Sequence, residues 1–201
     1  MDLGILRYTE EVWPSDNTDA FDRLSIQDGF TQAYTPGIMV AWVTDPSGAR
    51  KTSLPYRFLV AMQGGLGIGT NLNKWAPEDF ATAKKMIAAY KDVRETVQHG
   101  SLYRLVSPQD NSPYSATENV SQDRKQAVLF AYLHSSEFGF EYPRLFLQGL
   151  DPAAKYTVRS IYGALAVDTL TTASGDYWMH HGVDVVMRGD FQAAGFVLEQ
   201  K

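Results

Sequence analysis

The alternation of apolar and polar positions in Leu3-Gly4-Ile5-Leu6-Arg7-Tyr8-Thr9 predicts a first strand over residues 3–8. Pro14 then breaks regular structure, and Ser15, Asp16, Asn17, Thr18 and Asp19 supply side chains of the kind that cap helix N-termini. A helix follows from about Asp19, with Phe21, Leu24 and Phe30 facing inward and Gly29 as a stop or kink. The continuous apolar run Ile38-Met39-Val40-Ala41-Trp42-Val43 has the pattern of a strand buried on both faces, as in a parallel sheet. Asp45-Pro46-Ser47-Gly48 reads as a turn. Residues 56–63 form a short apolar helix, and Gly64-Gly65-Leu66-Gly67-Ile68-Gly69 reads as a strand end whose backbone packs closely. Pro77 opens a long helix to His99, with acids in its first turn, Gly100 at its end, and Phe80, Ala83, Ile87, Tyr90 and Val97 at helical spacing.

The rhythm of the first hundred residues is therefore strand–helix repeated three times, as in a parallel sheet or barrel. After Gly100 it changes. Short β-type segments at 125–133, 144–148, 155–162, 183–187 and 194–199 are separated by turns at Gly149–Pro152, Ser174–Asp176 and Arg188–Asp190. No strong helical stripe intervenes, so an antiparallel sheet or sandwich is expected. The boundary falls between Ser101 and Pro108, which divides the chain into 1–104 and 105–201.

Composition narrows the function. The chain has 201 residues, 44% apolar and 20% charged, with a net charge of −5. These values describe an ordinary globular sequence, and the acidic balance argues against non-specific nucleic-acid binding. The absence of cysteine excludes thiolate metal sites, disulfides and cysteine nucleophiles. No apolar run approaches the about 20 residues that span a bilayer, so no membrane partner is expected.

Several motifs carry less than they suggest. The Gly65–Gly69 run lacks the spacing of a dinucleotide-binding loop and does not open a helix directly, so no cofactor is implied. His180 and His181, taken as strand neighbours, point to opposite faces and make no metal site. Asn119-Val120-Ser121 fits the glycosylation pattern, which is common by chance. Asp16 and Asp19 are the serious candidates. They either cap the following helix or perform acid/base chemistry at the C-terminal end of a parallel strand. Lying on one turn, they would approach a sugar from one side, whereas glycoside hydrolysis needs two flanking carboxyl groups.

Leu3 to Gln27, with its Trp13-Pro14-Ser15-Asp16-Asn17-Thr18-Asp19 core and Arg23-Leu24-Ser25-Ile26-Gln27, resembles the late-barrel segment of glycoside hydrolase family 36 α-galactosidases. The likeness continues through Pro55–Met62 and Gly65-Leu66-Gly67, and reaches the end at Arg188-Gly189-Asp190-Phe191-Gln192-Ala193. It implies the last three or so units of a (β/α)8 barrel followed by an antiparallel β-sandwich. It implies a retaining mechanism, with Asp16 as general acid/base and Trp13, Asp19 and Arg23 around the substrate, which would be an α-galactoside or oligosaccharide. No metal or other cofactor is part of that expectation.

The departures are as informative. The family nucleophile lies in a Lys-Trp-Asp motif, and here Lys74-Trp75 is followed by Ala76. The family's Gly-x-His after the seventh strand is replaced by Ala41-Trp42, and its Pro-Asn-His loop by Asp45–Gly48. A full barrel takes about 250 residues, so the chain reads as a C-terminal piece, inactive alone for lack of the nucleophile. An open barrel edge would favour self-association or pairing with the N-terminal barrel half. The expected setting is soluble, in a bacterial cytoplasm or periplasm. The alternative is a carbohydrate-binding or structural β-sandwich module, with exposed Tyr177 and Trp178 stacking on sugar rings.

Overall fold

A computed structural model describes residues 3–16, 18–45, 50–136, 138–139 and 144–201. Pro46, Ser47 and Gly48 of the expected turn lie outside the described residues. The first expected strand is not one: Leu3–Arg7 forms a 3-10 helix. Leu3 and Ile5 stay exposed, as does Tyr8 just after the helix, and Leu6 is half-buried. Alternation alone does not compensate a strand's unpaired backbone. Farther along, Val12 makes a parallel bridge with Met39.

Helix α1 (Ala20–Phe30) starts at Asp19, as expected. Its buried face differs from the expected Phe21, Leu24 and Phe30: Ala20, Arg23, Leu24, Gln27 and Asp28 are the buried residues. Strand β1 (Val40–Thr44) pairs in parallel with β2 (Gly65–Gly69). Ala41 and Val43 are fully buried, whereas Val40, Trp42 and Thr44 on the other face are half-buried. Between the strands runs α2 (Leu54–Ala61), which is capped by Ser53 and almost wholly buried.

The glycine alternation of β2 has a physical cause. Trp42 lies opposite Gly67 in register, and a Cβ on Gly67 would sit 2.4 Å from the indole. Leu66 and Ile68, which point the other way, pack on the core. Helix α3 (Pro77–His99) closes this half; the Asp79 carboxylate accepts the Ala76 N–H at its start. At its end Gly100 is required by close approach, because a Cβ there would meet the carbonyl oxygens of Thr96 and Val120.

The remaining strands are β3 (Ser101–Val106), β4 (Tyr114–Val120), β5 (Gln126–Leu133), β6 (Arg144–Leu145), β7 (Lys155–Tyr162), β8 (Ala164–Leu165), β9 (Thr172–Ser174), β10 (Val183–Val186) and β11 (Gln192–Gln200). Four of them, β3, β4 and the short β8 and β9, were not expected from the sequence, which placed Ser174 of β9 in a turn. Six form an antiparallel sheet in the order β3-β4-β5-β11-β7-β9, and three more form the order β6-β10-β8. A two-residue period divides β5 cleanly. Val128, Phe130 and Tyr132 face α2 and α3, while Ala127, Leu129, Ala131 and Leu133 face the smaller sheet. The layers are thus helices, large sheet and small sheet. The helical half and the β half share a core across Leu59 and Gly195, where a Cβ would lie 2.7 Å from a Leu59 methyl.

Helix α4 (Gly175–His181) corrects the reading of a helix-free second half. It is only two turns long, too short to show a stripe. It carries His180 and His181 in its last turn, so they are not strand neighbours. His180 pairs with Asp176, and His181 stacks on Tyr177. Trp178 is fully buried, which removes it as an exposed sugar platform. Asn119 is also buried, its amide donating to the Val97 carbonyl, so the glycosylation pattern falls on an inaccessible side chain.

Candidate active site

The carboxyl ends of β1 and β2 open into a cleft of about 390 Å³. The chain enters it through two backbone bonds: the Val12 N–H donates to the Ile38 carbonyl and the Val40 N–H to the Val12 carbonyl. After Val12, Pro14 turns the chain away, which leaves the Trp42 and Thr44 carbonyls on the same edge of β1 without a strand partner. Two arginines satisfy them. Arg23 of α1 donates to the Trp42 carbonyl at 3.5 Å and to the Thr18 carbonyl at 3.3 Å. Arg57 of α2 donates to the Thr44 carbonyl at 2.5 Å. Buried guanidinium groups thus replace a missing ladder, which explains two charged residues in a core.

Trp13, Asp16, Thr18 and Arg23 line the cleft on one side, and Trp42, Thr44, Asp45 and Gly69 line it on the other. The Trp13 and Trp42 rings meet edge to face with centroids 5.2 Å apart. Asp16 is exposed at the mouth. Burial lowers the pKa of Arg23, and the negative charge of Asp16 acts in the opposite direction. Three of the four expected site residues, Trp13, Asp16 and Arg23, therefore meet in one cavity.

The fourth has another occupation. Asp19 is buried; one oxygen caps α1 by accepting the Asp22 N–H at 2.9 Å, and the other pairs with Arg50 at 3.1 Å. Arg50 also grips Asp22 through two hydrogen bonds and lies 4.8 Å above the Phe21 ring. Asp19 is not among the residues lining the cleft.

Trp42, Thr44, Asp45 and Gly69 were missed as site residues. Register could have found them: bulky Trp42 faces the alternating glycines of β2, so both define one wall. Asp45 is a second carboxylate on the same cleft, where it accepts the Thr70 hydroxyl. Chemically, the arrangement offers an exposed carboxyl group able to exchange a proton with a bound oxygen. It also offers aromatic walls against which a sugar ring can lie. Among the described residues, no three His, Asp or Glu side chains are grouped to hold a metal ion.

The melibiase family model matches residues 1–100, and the model of the glycosyl hydrolase family 36 C-terminal domain matches residues 114–198. The chain belongs to glycoside hydrolase family 36. Alpha-galactosidase 2 of Hypocrea jecorina is 34% identical over the whole chain, which spans 26% of that protein. Alpha-galactosidase Mel36A of Lactobacillus acidophilus is 33% identical over 96% of the chain and 25% of its own length. Among solved structures, the family 36 α-galactosidase AgaB of Geobacillus stearothermophilus superimposes with a TM-score of 0.88 at 34% identity, over 98% of this chain and 27% of that one. An AgaA variant from the same organism, solved with raffinose, gives a TM-score of 0.89 at 32% identity and the same coverage. The family 36 chain described here thus spans about a quarter of the length of the relatives it matches. No helix among its described residues is long and apolar enough to cross a membrane.

Proposed function

We propose that this chain is the C-terminal part of a retaining α-galactosidase. Residues 1–104 supply the last units of a (β/α)8 barrel, and residues 105–201 supply an antiparallel β-sandwich. The observation that carries the reading is the convergence of Trp13, Asp16 and Arg23 on one cleft at the carboxyl ends of two parallel strands, where barrels keep their chemistry. Relatives along the whole chain are α-galactosidases, and AgaA variants bind raffinose and stachyose. The substrate is accordingly a terminal α-galactoside, including galactosyl oligosaccharides.

Asp16 is the general acid/base in this reading. Its carboxyl group protonates the departing glycosidic oxygen. As carboxylate it then takes a proton from the water that attacks the galactosyl–enzyme intermediate. Trp13 and Trp42 wall the sugar, Arg23 holds the Thr18 and Trp42 carbonyls in place, and Asp19 acts one step back by fixing the start of α1. The nucleophile comes from outside these residues, as Lys74-Trp75-Ala76 lacks the aspartate of the family motif.

The remaining barrel completes the site and covers the open side of the parallel pair. Exposed Leu72 and Phe80, beside β2 and on α3, are consistent with such a partner, and self-association is the alternative way to cover them. An assay of the purified chain on an aryl α-galactoside, with Asp16→Asn beside it, tests the incomplete-site reading. No turnover in either protein is expected. Turnover that disappears in Asp16→Asn would show a second catalytic carboxylate within the chain, and Asp45 would be the residue to replace next.

A further inference from the structure

The buried face of α1 is mostly polar, with Arg23, Gln27 and Asp28 beside Ala20 and Leu24. A helix seated on apolar contacts alone has several nearly equivalent positions; one seated on directional, satisfied bonds has far fewer. At its C-terminal end the buried Asp28 carboxylate accepts from Arg104 Nε at 3.1 Å, Ser107 Oγ at 3.1 Å and Gln109 Nε2 at 3.4 Å. Arg104 also donates to Thr31 Oγ1 at 2.8 Å. A second line of bonds runs beside the first. Gln63 donates to Gln27 and accepts from Thr117 of β4. Every anchor except Gln63 belongs to β3, the loop after it, or β4. At the other end of the same helix, Arg23 holds the Thr18 and Trp42 carbonyls, and Asp19 caps the first turn. From Asp19 to Asp28 the helix rises about 13 Å, so a shift at one end is carried to the other.

We propose that Asp28 and Arg104 are positioning residues for the Asp16 segment. The β half of the chain fixes where α1 sits, and α1 fixes Trp13, Asp16 and Thr18 at the cleft. The catalytic meaning of this link rests on the role proposed for Asp16; the link itself does not. It gives the β half a task in the reaction beyond carrying its own core. Arg104→Lys keeps the charge but loses the planar two-point contact to Asp28 and Thr31. Asp28→Asn leaves Arg104 without its counter-charge.

Hydrogen exchange read by mass spectrometry on the whole chain tests the link. In Asp28→Asn the hydrogen-bonded amides that flank the Asp16 segment, Val12, Asp22 and Arg23, should exchange at least about ten-fold faster than in the parent, with Arg104→Lys intermediate. Amides of α3 should change only as far as global stability changes. If Asp28→Asn fails to fold, Ser107→Ala, which removes one bond to the carboxylate, should give a smaller increase at the same amides. Faster exchange at residues 28–31 and 101–109 with none at Val12, Asp22 and Arg23 would overturn the proposal, as would a uniform increase along the chain. Exchange does not depend on turnover. A family enzyme indifferent to loss of the Asp16 carboxylate would therefore refute the acid/base role and leave the link standing.

Discussion

Replacing Glu118 by Gln should flatten the pH dependence of this protein's stability. Glu118 is fully buried on β4, on the face that carries Ala116 and Val120 into the core between the two sheets. Its register neighbours are Tyr103 of β3 and Leu129 of β5. One carboxyl oxygen accepts the Gln148 N–H at 2.7 Å, and the other has no hydrogen-bond partner. Burial raises its pKa from 4.5 to about 8, against the pull of the Gln148 N–H. The native state therefore binds a proton more tightly than the unfolded chain. The stability tied to that proton is fully present below about pH 4.5 and is lost as pH rises toward about 8. At 1.36 kcal/mol per unit, the loss reaches about 3 kcal/mol by pH 7 and about 5 kcal/mol by pH 9. Glu118→Gln keeps an acceptor for Gln148 and cannot ionise. Burial lowers the pKa of His134, so its protonation works in the opposite direction, reducing stability as pH falls; it is present in both proteins and cancels in their difference. Urea unfolding of both proteins between about pH 5 and pH 9 measures that difference. It should grow with pH in favour of Glu118→Gln by several kcal/mol. Parallel profiles would refute the buried-charge reasoning.

Two further substitutions probe the site's framework. Gly67→Ala places a Cβ against the Trp42 indole at 2.4 Å and should lower stability by about 1–3 kcal/mol, read as a lower thermal midpoint. A midpoint equal to the parent's would show that Trp42 is free to move aside. Asp19→Ala removes the cap of α1 and strands Arg50 from one partner. The cost should be about 1 kcal/mol or somewhat more, measured by urea unfolding; an unchanged midpoint would deny Asp19 its structural task.

The long elements were legible because their signals are local. Pro77, Glu78 and Asp79 mark the start of α3 without tertiary context, and the two-sided apolar run of β5 needs none either. The buried face of α3 shares Ala83, Tyr90 and Val97 with the expected stripe but takes Met86 and Val93 in place of Phe80 and Ile87. Strand β4 hid because Glu118 and Asn119 look like surface residues and are not. Residues 3–8 misled because alternation describes what a strand requires, not whether a neighbour exists. The site divided in the same way. Trp13, Asp16 and Arg23 lie close together in sequence near one helix start, where capping and chemistry use the same residue types. Trp42, Thr44, Asp45 and Gly69 join them only through the parallel pairing of β1 with β2, which no single segment reveals. Asp19 and Asp16 are alike in sequence; burial, the cap on the Asp22 N–H and the Arg50 contact separate their tasks.

The central claim is that Asp16 supplies the proton to the leaving group. Its most direct test joins this chain to the upstream barrel portion of a family 36 α-galactosidase and compares the joined protein with its Asp16→Asn form on aryl α-galactosides of graded leaving-group acidity. The account predicts a loss of about 10²–10⁴-fold in kcat/KM for poor leaving groups, shrinking steeply as the leaving group needs less protonation. Equal activity of the two proteins, or a loss independent of the leaving group, would contradict it.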